Sequence, residues 1–267
     1  MSTRGHKARH SKILAARPPC SRLRDNKGTP LPPVLITAHG QPSNPALAAA
    51  ELADLAAKVA QFLPGQTVAS ATLAEPEALS EAIAKLGPGG LLFPLFMAGG
   101  WFTRTHLPAR LTAAGAQDWQ VLEPLGCLTA LHDLAVKVAR EAQKTRQGPI
   151  LLAAHGSSKT SVPSDIATHV AAKIHAELGC KVHVAFIDQP PQLKDLPPLG
   201  DQSICLPFFA ASGGHVTTDI PASLTQSGFT GTLLPALGLR PEIPALIAEA
   251  IRVASPVCVQ ECRYKRG

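Results

Sequence analysis

The segment VLITAHGQPS at 34–43 recurs at 150–159 as ILLAAHGSSK, and in both copies an apolar run leads into Ala-His-Gly and a polar turn. A second pair of segments aligns without a gap, LFPLFMAGGWFTRTHLP at 92–108 against CLPFFAASGGHVTTDIP at 205–221. The histidines of the two triplets stand 116 residues apart, which is an ordinary size for a domain. The repeat therefore predicts two similar lobes.

Both halves of the chain alternate short apolar runs with helical segments. In the first half, Val34–Ala38 is predicted as a strand and Ala46–Leu63 as an Ala-rich amphipathic helix. Continuous apolar strands between helices are typical of a parallel sheet that is buried on both faces. We predict an α/β fold of two similar lobes, each a four-stranded parallel sheet flanked by helices, with a cleft between the lobes. Later elements include helices at 106–114 and 217–227 and a strand at 231–235. The predicted boundaries are 32–147 for the first lobe, 148–255 for the second and 256–267 for a C-terminal tail.

The net charge of +6 is concentrated at the start of the chain. Residues 1–30 hold eight Lys or Arg against the single acid Asp25, so this segment carries +7 and the rest of the chain sums to −1. The segment lacks apolar periodicity, and we expect residues 1–31 to be a disordered basic arm. A solvated tail is the favoured interpretation, with a nucleic-acid-binding arm or a transit peptide as alternatives. We expect no nucleic-acid partner.

No apolar run in the sequence has the length of a membrane span, and Ile13–Ala16 is too short for the core of a signal peptide. We therefore expect a cytoplasmic protein without a membrane partner.

The six cysteines form no CxxC pair. Cys258 and Cys262 stand four residues apart, and two thiolates are too few for a closed metal site unless a dimer completes it.

The histidines and glycine pairs of the repeat come directly after predicted strands. His39 and His155 follow the first strand of each half, and Gly99-Gly100 and Gly213-Gly214 follow the third. Open parallel sheets bind their ligands at the carboxyl ends of the strands, and glycine allows the backbone to approach a ligand closely. We expect His39, His155 and His215 to lie on one functional rim.

These motifs resemble the class II tetrapyrrole chelatases, the CbiX/SirB group that acts on sirohydrochlorin. The second half carries the motifs HGSS and GGHVTTDIP, at 155–158 and 213–221. The first half carries HGQ, LAEP and a degenerate GWFTRTHLP, at 39–41, 73–76 and 100–108. The resemblance covers about residues 33–253.

The resemblance implies that His155 and His215 bind the metal and accept protons, because imidazoles bind Co²⁺ or Fe²⁺ and titrate near neutral pH. It implies that Glu75 is a catalytic carboxylate at the rim. Substrate binding is assigned to His39, Arg104, Lys159, Gly213 and Gly214. The cations would meet the carboxylates of the tetrapyrrole, although such side chains are also ordinary surface charges. No cofactor is implied beyond the substrate metal, Co²⁺ or Fe²⁺.

The two copies differ in chemistry. In the gapless alignment His215 corresponds to Phe102 and Asp219 to His106, while Glu75 of LAEP corresponds to Gln189 of IDQP. We therefore predict one shared site, with His155 and His215 from the second lobe and Glu75 from the first.

Several side chains keep alternative roles at this stage. Asp188 is a substitute acid, and Asp219 is either an active-site acid or a helix cap. Trp101 and Phe102 either stack on the macrocycle or fill the space of the missing histidine.

The predicted function is insertion of Co²⁺ or Fe²⁺ into sirohydrochlorin, as a step of cobalamin or sirohaem biosynthesis. The alternative is a non-catalytic tetrapyrrole- or metal-binding protein derived from a chelatase, since each half has lost a matched residue. The expected partners are the tetrapyrrole and the divalent ion. We expect a monomer with pseudo-twofold lobes.

Overall fold

The computed structural model describes residues 31–258 and 261–265, so the predicted basic arm lies almost wholly outside the described residues. The first lobe contains a four-stranded parallel sheet in the order β2-β1-β3-β4. Its strands are β1 Val34–Ala38, β2 Val68–Thr72, β3 Gly89–Pro94 and β4 Asp118–Val121.

The second lobe repeats this topology in the order β6-β5-β7-β8. Its strands are β5 Ile150–Ala154, β6 Val182–Phe186, β7 Ile204–Pro207 and β8 Thr232–Leu233. The first strand of each lobe lies in the middle of its sheet, between two neighbouring strands. Its carboxyl end therefore lies at the centre of the rim, which is the edge of the sheet formed by the carboxyl ends of the strands. The predicted fold class is confirmed. The last strand is shorter than the predicted 231–235, because it is an edge strand that pairs only with β7.

Helices cover both faces of each sheet. They are α1 Pro45–Ala60, α2 Ala78–Leu86, α3 Leu107–Ala113, α4 Thr129–Gln143, α5 Val162–Leu178, α6 Ile220–Gln226 and α7 Ile243–Val253. A wide π-helical turn precedes α3 at Phe102–His106 and α6 at His215–Asp219. The sequence predicts plain helices at 106–114 and 217–227, and this prediction was wrong about how the two helices begin, because each begins with a π-helical turn. None of the described helices is long and apolar enough to cross a membrane.

The two lobes share one hydrophobic core. Alternate residues of each central strand face opposite sides, so Ile36 and Leu152 enter a common cluster while Leu35 and Leu151 enter separate outer clusters. Helix α1 packs near α7, and α4 packs against α5, between the two sheets. Burial of apolar surface between the lobes therefore fixes the position of one rim relative to the other.

The C-terminal tail docks on the first lobe. The Tyr264 hydroxyl and the Arg263 guanidinium both donate hydrogen bonds to the Cys127 carbonyl, at 3.1 and 2.8 Å. A hydrogen bond between thiols raises the pKa of Cys127 and lowers that of Cys262. Cys262 is thus paired with Cys127, whereas the sequence grouped it with Cys258.

Candidate active site

His155 leaves the central strand of the second lobe through a turn that requires glycine. Gly156 has φ +74°, and a Cβ there would lie 2.7 Å from Gln189 Cγ and 2.9 Å from Phe186 Cβ. The Gln189 side chain also closes this turn, because its Oε1 accepts a hydrogen bond of 2.7 Å from the Ser157 amide. The turn leaves the His155 side chain exposed at the carboxyl end of β5.

His215 begins the π-helical turn that follows β7, and its side chain meets that of His155. The two Nε2 atoms are 3.1 Å apart, and the rings are perpendicular with centroids 4.6 Å apart. Two lone pairs that converge at this distance can share a proton or hold one cation. The structure thus brings together the two histidines that stand 60 residues apart in the sequence.

A carboxylate stands behind each histidine. Asp219 Oδ2 lies 2.7 Å from His215 Nδ1, and Asp188 Oδ2 lies 3.4 Å from His155 Nδ1. The Gly156 carbonyl is a closer partner for His155 Nδ1, at 3.1 Å. These acceptors favour the tautomer with hydrogen on Nδ1, which leaves the Nε2 lone pairs available for a metal.

Asp219 therefore orients an imidazole, and its side chain makes no capping hydrogen bond to α6. The wide turn places Asp219 four residues after His215 on the same face. The sequence alone leaves the choice between a cap and an active-site acid open.

The first lobe has the same backbone with different side chains. His39 follows β1, and the edge of its ring meets Phe102 with centroids 5.1 Å apart and an interplanar angle of 64°. Phe102 in turn contacts His106 at 5.5 Å, and Trp101 stacks on His106 at 4.9 Å. Phe102 thus occupies the place of His215, and His106 that of Asp219.

The rims of the two lobes face each other across the predicted cleft. Burial lowers the pKa of His39, and the positive charges that His106 and His155 can carry lower it further. A Cβ at Gly214 would lie 3.6 Å from the side-chain nitrogen of Gln41, which belongs to the other lobe. The Ser212 hydroxyl also donates a 2.5 Å hydrogen bond to Glu51 Oε2 of α1. His39 therefore lies within electrostatic range of the histidine pair.

Glu75 lies just after β2, partly buried, and no described contact joins its carboxylate to either histidine. The carboxylates that do touch the pair, Asp188 and Asp219, both come from the second lobe. The catalytic role of Glu75 stays a prediction.

The predicted substrate-binding groups lie in the segments that follow the first and third strands of the sheets, and Arg104 belongs to the π-helical turn before α3. Arg104 Nε donates a 2.5 Å hydrogen bond to the Gly99 carbonyl, which fixes the guanidinium beside the glycine pair. Lys159 is exposed in the turn after β5, and a Cβ at Gly213 would meet open space. Their roles toward a substrate remain predictions.

The two imidazoles of the pair are the candidate metal ligands at this rim. Within residues 31–258 and 261–265, no group of three or more His, Cys, Asp or Glu side chains is placed to hold a metal ion. With metal–nitrogen bonds of about 2.0–2.1 Å, a separation of 3.1 Å between the Nε2 atoms corresponds to an N–metal–N angle of about 98°. The other coordination positions would be open to water or to a substrate.

Comparison with known proteins agrees with this two-lobed α/β fold. The CbiX family model matches residues 149–254, the lobe that holds the pair. The structure of CbiX, the terminal enzyme for the biosynthesis of siroheme in denitrifying bacteria, is 42% identical with a TM-score of 0.77. That match covers 83% of this chain and 99% of the CbiX chain.

Two structures of SirB from Bacillus subtilis share the fold at 15% identity. The structure with Fe³⁺ has a TM-score of 0.67, and the structure of the sirohydrochlorin chelatase SirB in complex with cobalt has a TM-score of 0.59. Both matches cover 83% of this chain and 94% of the SirB chain. No curated protein sequence matches the chain. The fold is thus that of the two-lobed chelatases. The chain belongs to the CbiX family.

Proposed function

We propose that this protein inserts a divalent metal ion, Co²⁺ or Fe²⁺, into sirohydrochlorin. The observation that carries the proposal is the His155–His215 pair, whose Nε2 atoms converge at 3.1 Å on an open rim. The CbiX relative is an enzyme of siroheme biosynthesis, which supports sirohaem as the product to which this reaction leads. The metal ion is a substrate, and the reaction needs no other cofactor.

The histidine pair would first hold the incoming ion. Two neutral imidazoles bind a first-row divalent ion more weakly than a closed site of four ligands, so the ion can be passed on. At a separation of 3.1 Å the two nitrogens would occupy neighbouring coordination positions, and the remaining positions would stay open for the nitrogens of the macrocycle. Asp219 and Asp188 keep both rings oriented during this transfer.

Insertion releases two protons from the pyrrole nitrogens for each ion that enters the ring. As the ion leaves the imidazoles, the two Nε2 atoms regain their lone pairs and can share one of these protons across their 3.1 Å separation, while the other proton passes to water at the open rim. The carboxylates of Asp188 and Asp219 lie beside Nδ1 of the two rings and hold the Nε2 atoms toward the incoming proton. The same pair thus serves as metal ligand and as proton acceptor.

The first lobe would supply the opposite wall of the cleft. We assign Glu75 as a further rim carboxylate and His39 as a neutral imidazole that faces the tetrapyrrole, in keeping with its lowered pKa. Arg104 and Lys159 are the proposed partners of the substrate carboxylates, with Gly213 and Gly214 as open backbone beside the macrocycle. We propose one active cleft per chain, because only the second lobe holds both histidines. We also propose that the protein is a monomer.

The test is an insertion assay with purified protein, sirohydrochlorin and Co²⁺ or Fe²⁺, followed by the absorbance of the macrocycle. The wild-type protein should accelerate insertion, and the double variant His155→Ala, His215→Ala should not. His175→Ala is the matched control, because His175 lies at the end of α5 away from the strand-end rim. Equal rates for wild type and double variant would contradict the proposal. Binding of the tetrapyrrole without turnover would favour a non-catalytic carrier instead.

A further inference from the structure

Trp101 is an exposed aromatic side chain held in place by its neighbours. Its side chain is 57% exposed, although it belongs to the rim of the first lobe. One face stacks on the His106 ring at a centroid distance of 4.9 Å and an interplanar angle of 27°, and the indole meets Phe102 edge-on at 5.1 Å. The rotational freedom of the indole is therefore restricted before any ligand arrives.

The equivalent position in the second lobe indicates the direction of the Trp101 side chain. In the alignment of the copies Trp101 corresponds to Gly214, and a Cβ at Gly214 would point at Gln41 of the first lobe. The two sheets have equivalent strand orders, and both positions directly precede a π-helical turn. This equivalence supports a direction of the exposed Trp101 side chain toward the second lobe, where the counterpart of Gln41 is Ser157.

Trp101 belongs to a cluster of rings on the rim of the first lobe. It stacks on His106, both rings contact Phe102, and Phe102 meets His39 edge-on at 5.1 Å. Trp101, Phe102 and His106 thus form an aromatic wall on this rim. In the second lobe the same positions carry a glycine, a metal-binding imidazole and a carboxylate.

We propose that Trp101 is a stacking platform that positions the tetrapyrrole macrocycle against the His155–His215 pair. This inference rests on the proposed function. A tetrapyrrole has a large flat π face, whereas its carboxylates project from the periphery, so an exposed indole can cover the face without desolvating the charges. His106 and Phe102 fix the plane of the indole, which explains what the first lobe's aromatic residues do in place of metal binding.

The test is a comparison of Trp101→Ala, Trp101→Leu and Trp101→Phe. Binding of metal-free sirohydrochlorin is measured by isothermal titration calorimetry, and insertion is measured over a range of tetrapyrrole concentrations. We expect Trp101→Ala and Trp101→Leu to raise both Kd and KM for the tetrapyrrole about tenfold, with kcat and the KM for the metal little changed. Trp101→Phe should recover most of the loss because it restores an aromatic face.

Phe62→Ala is the matched control, because Phe62 is also an exposed aromatic but follows the far end of α1. Unchanged Kd and KM in Trp101→Ala would overturn the platform, as would full recovery by Trp101→Leu. If the wild type binds sirohydrochlorin without inserting metal, and Trp101→Ala weakens that binding, the proposed function fails and the platform stands. If the wild type inserts metal and Trp101→Ala has no effect, the platform fails and the proposed function stands.

Discussion

The rims of the two lobes show how one backbone can carry two kinds of chemistry. In the second lobe, His155 and His215 meet edge to face with centroids 4.6 Å apart, and in the first, His39 and Phe102 meet in the same way at 5.1 Å. The strand orders and the π-helical turns agree between the lobes. At the rims the backbones agree and the side chains differ, so a few substitutions separate a histidine pair from an aromatic cluster.

The residues behind these rings differ in a matching way. Asp219 accepts from His215 Nδ1 in the second lobe, and its counterpart His106 stacks on Trp101 in the first. A carboxylate beside Nδ1 orients an imidazole and makes it a better metal ligand. The first lobe therefore lacks both members of the arrangement that we propose binds the metal.

The largest expected effect comes from restoring the first lobe's imidazole and carboxylate. The double substitution Phe102→His, His106→Asp should create a second pair with His39, because the backbone is already in place. Titration calorimetry with Co²⁺ should then show two binding events per chain where the wild type shows one. A single event in a folded variant would show that backbone equivalence is not sufficient.

The shared core should respond to acid more strongly than the rims. His132 is 1% exposed, donates from Nε2 to the Gly126 carbonyl at 2.8 Å, and lies against His169 and Tyr264. Burial is the main cause that lowers the pKa of His132 to about 4, and the nearby charges of His169, Lys173 and Arg263 act in the same direction, against the backbone hydrogen bond. The folded state therefore binds fewer protons than the unfolded state between about pH 6.5 and pH 4.

Because the folded-state pKa lies below the unfolded one, the free energy of unfolding should fall as the pH drops through this window. The expected loss is about 3 kcal/mol from His132, at about 1.4 kcal/mol per pKa unit. Urea unfolding at a series of pH values measures it. His132→Gln should flatten the dependence and His175→Gln, an exposed control, should not. The same slope in both variants would contradict this account.

A smaller difference in activity is expected between a substitution of Asp219 and a substitution of its counterpart His106. Asp219→Asn removes the charged acceptor from His215 Nδ1, and loss of such a partner typically costs about 10–100-fold in metal affinity or activity. His106→Asn should cost less than about tenfold, because His106 touches no metal-binding ring. Insertion kinetics with varied metal concentration measure both. Equal losses of insertion activity in the two variants would contradict the distinction between the two rims.

Most of the fold follows from local features of the sequence. The strand Val34–Ala38 is predicted to the residue, since an apolar run that is buried on both faces ends at a polar His-Gly turn. The π-helical turns before α3 and α6 were missed, because no sequence pattern distinguishes a turn of five residues from the first turn of an α-helix.

The site was predicted only in part, because the sequence does not show which acids lie beside the two histidines. The strand-end rule brings His155 and His215 to one edge of a sheet, and the structure places them in contact. The orienting role of Asp219 was left open, because an Asp before α6 is as easily a helix cap as a partner of His215. Glu75 was grouped with the pair by motif resemblance, but a motif does not give the distance between two lobes.

The most direct test of the central claim is a side-by-side comparison of His155→Ala and His39→Ala in the insertion assay. These residues end the equivalent strands β5 and β1, so the two substitutions are matched in position and in size. Our account predicts that His155→Ala lowers kcat/KM by about 10³-fold, the scale of a lost general base, and that His39→Ala lowers it by less than about tenfold. Equal losses would contradict the assignment of metal binding to the second lobe.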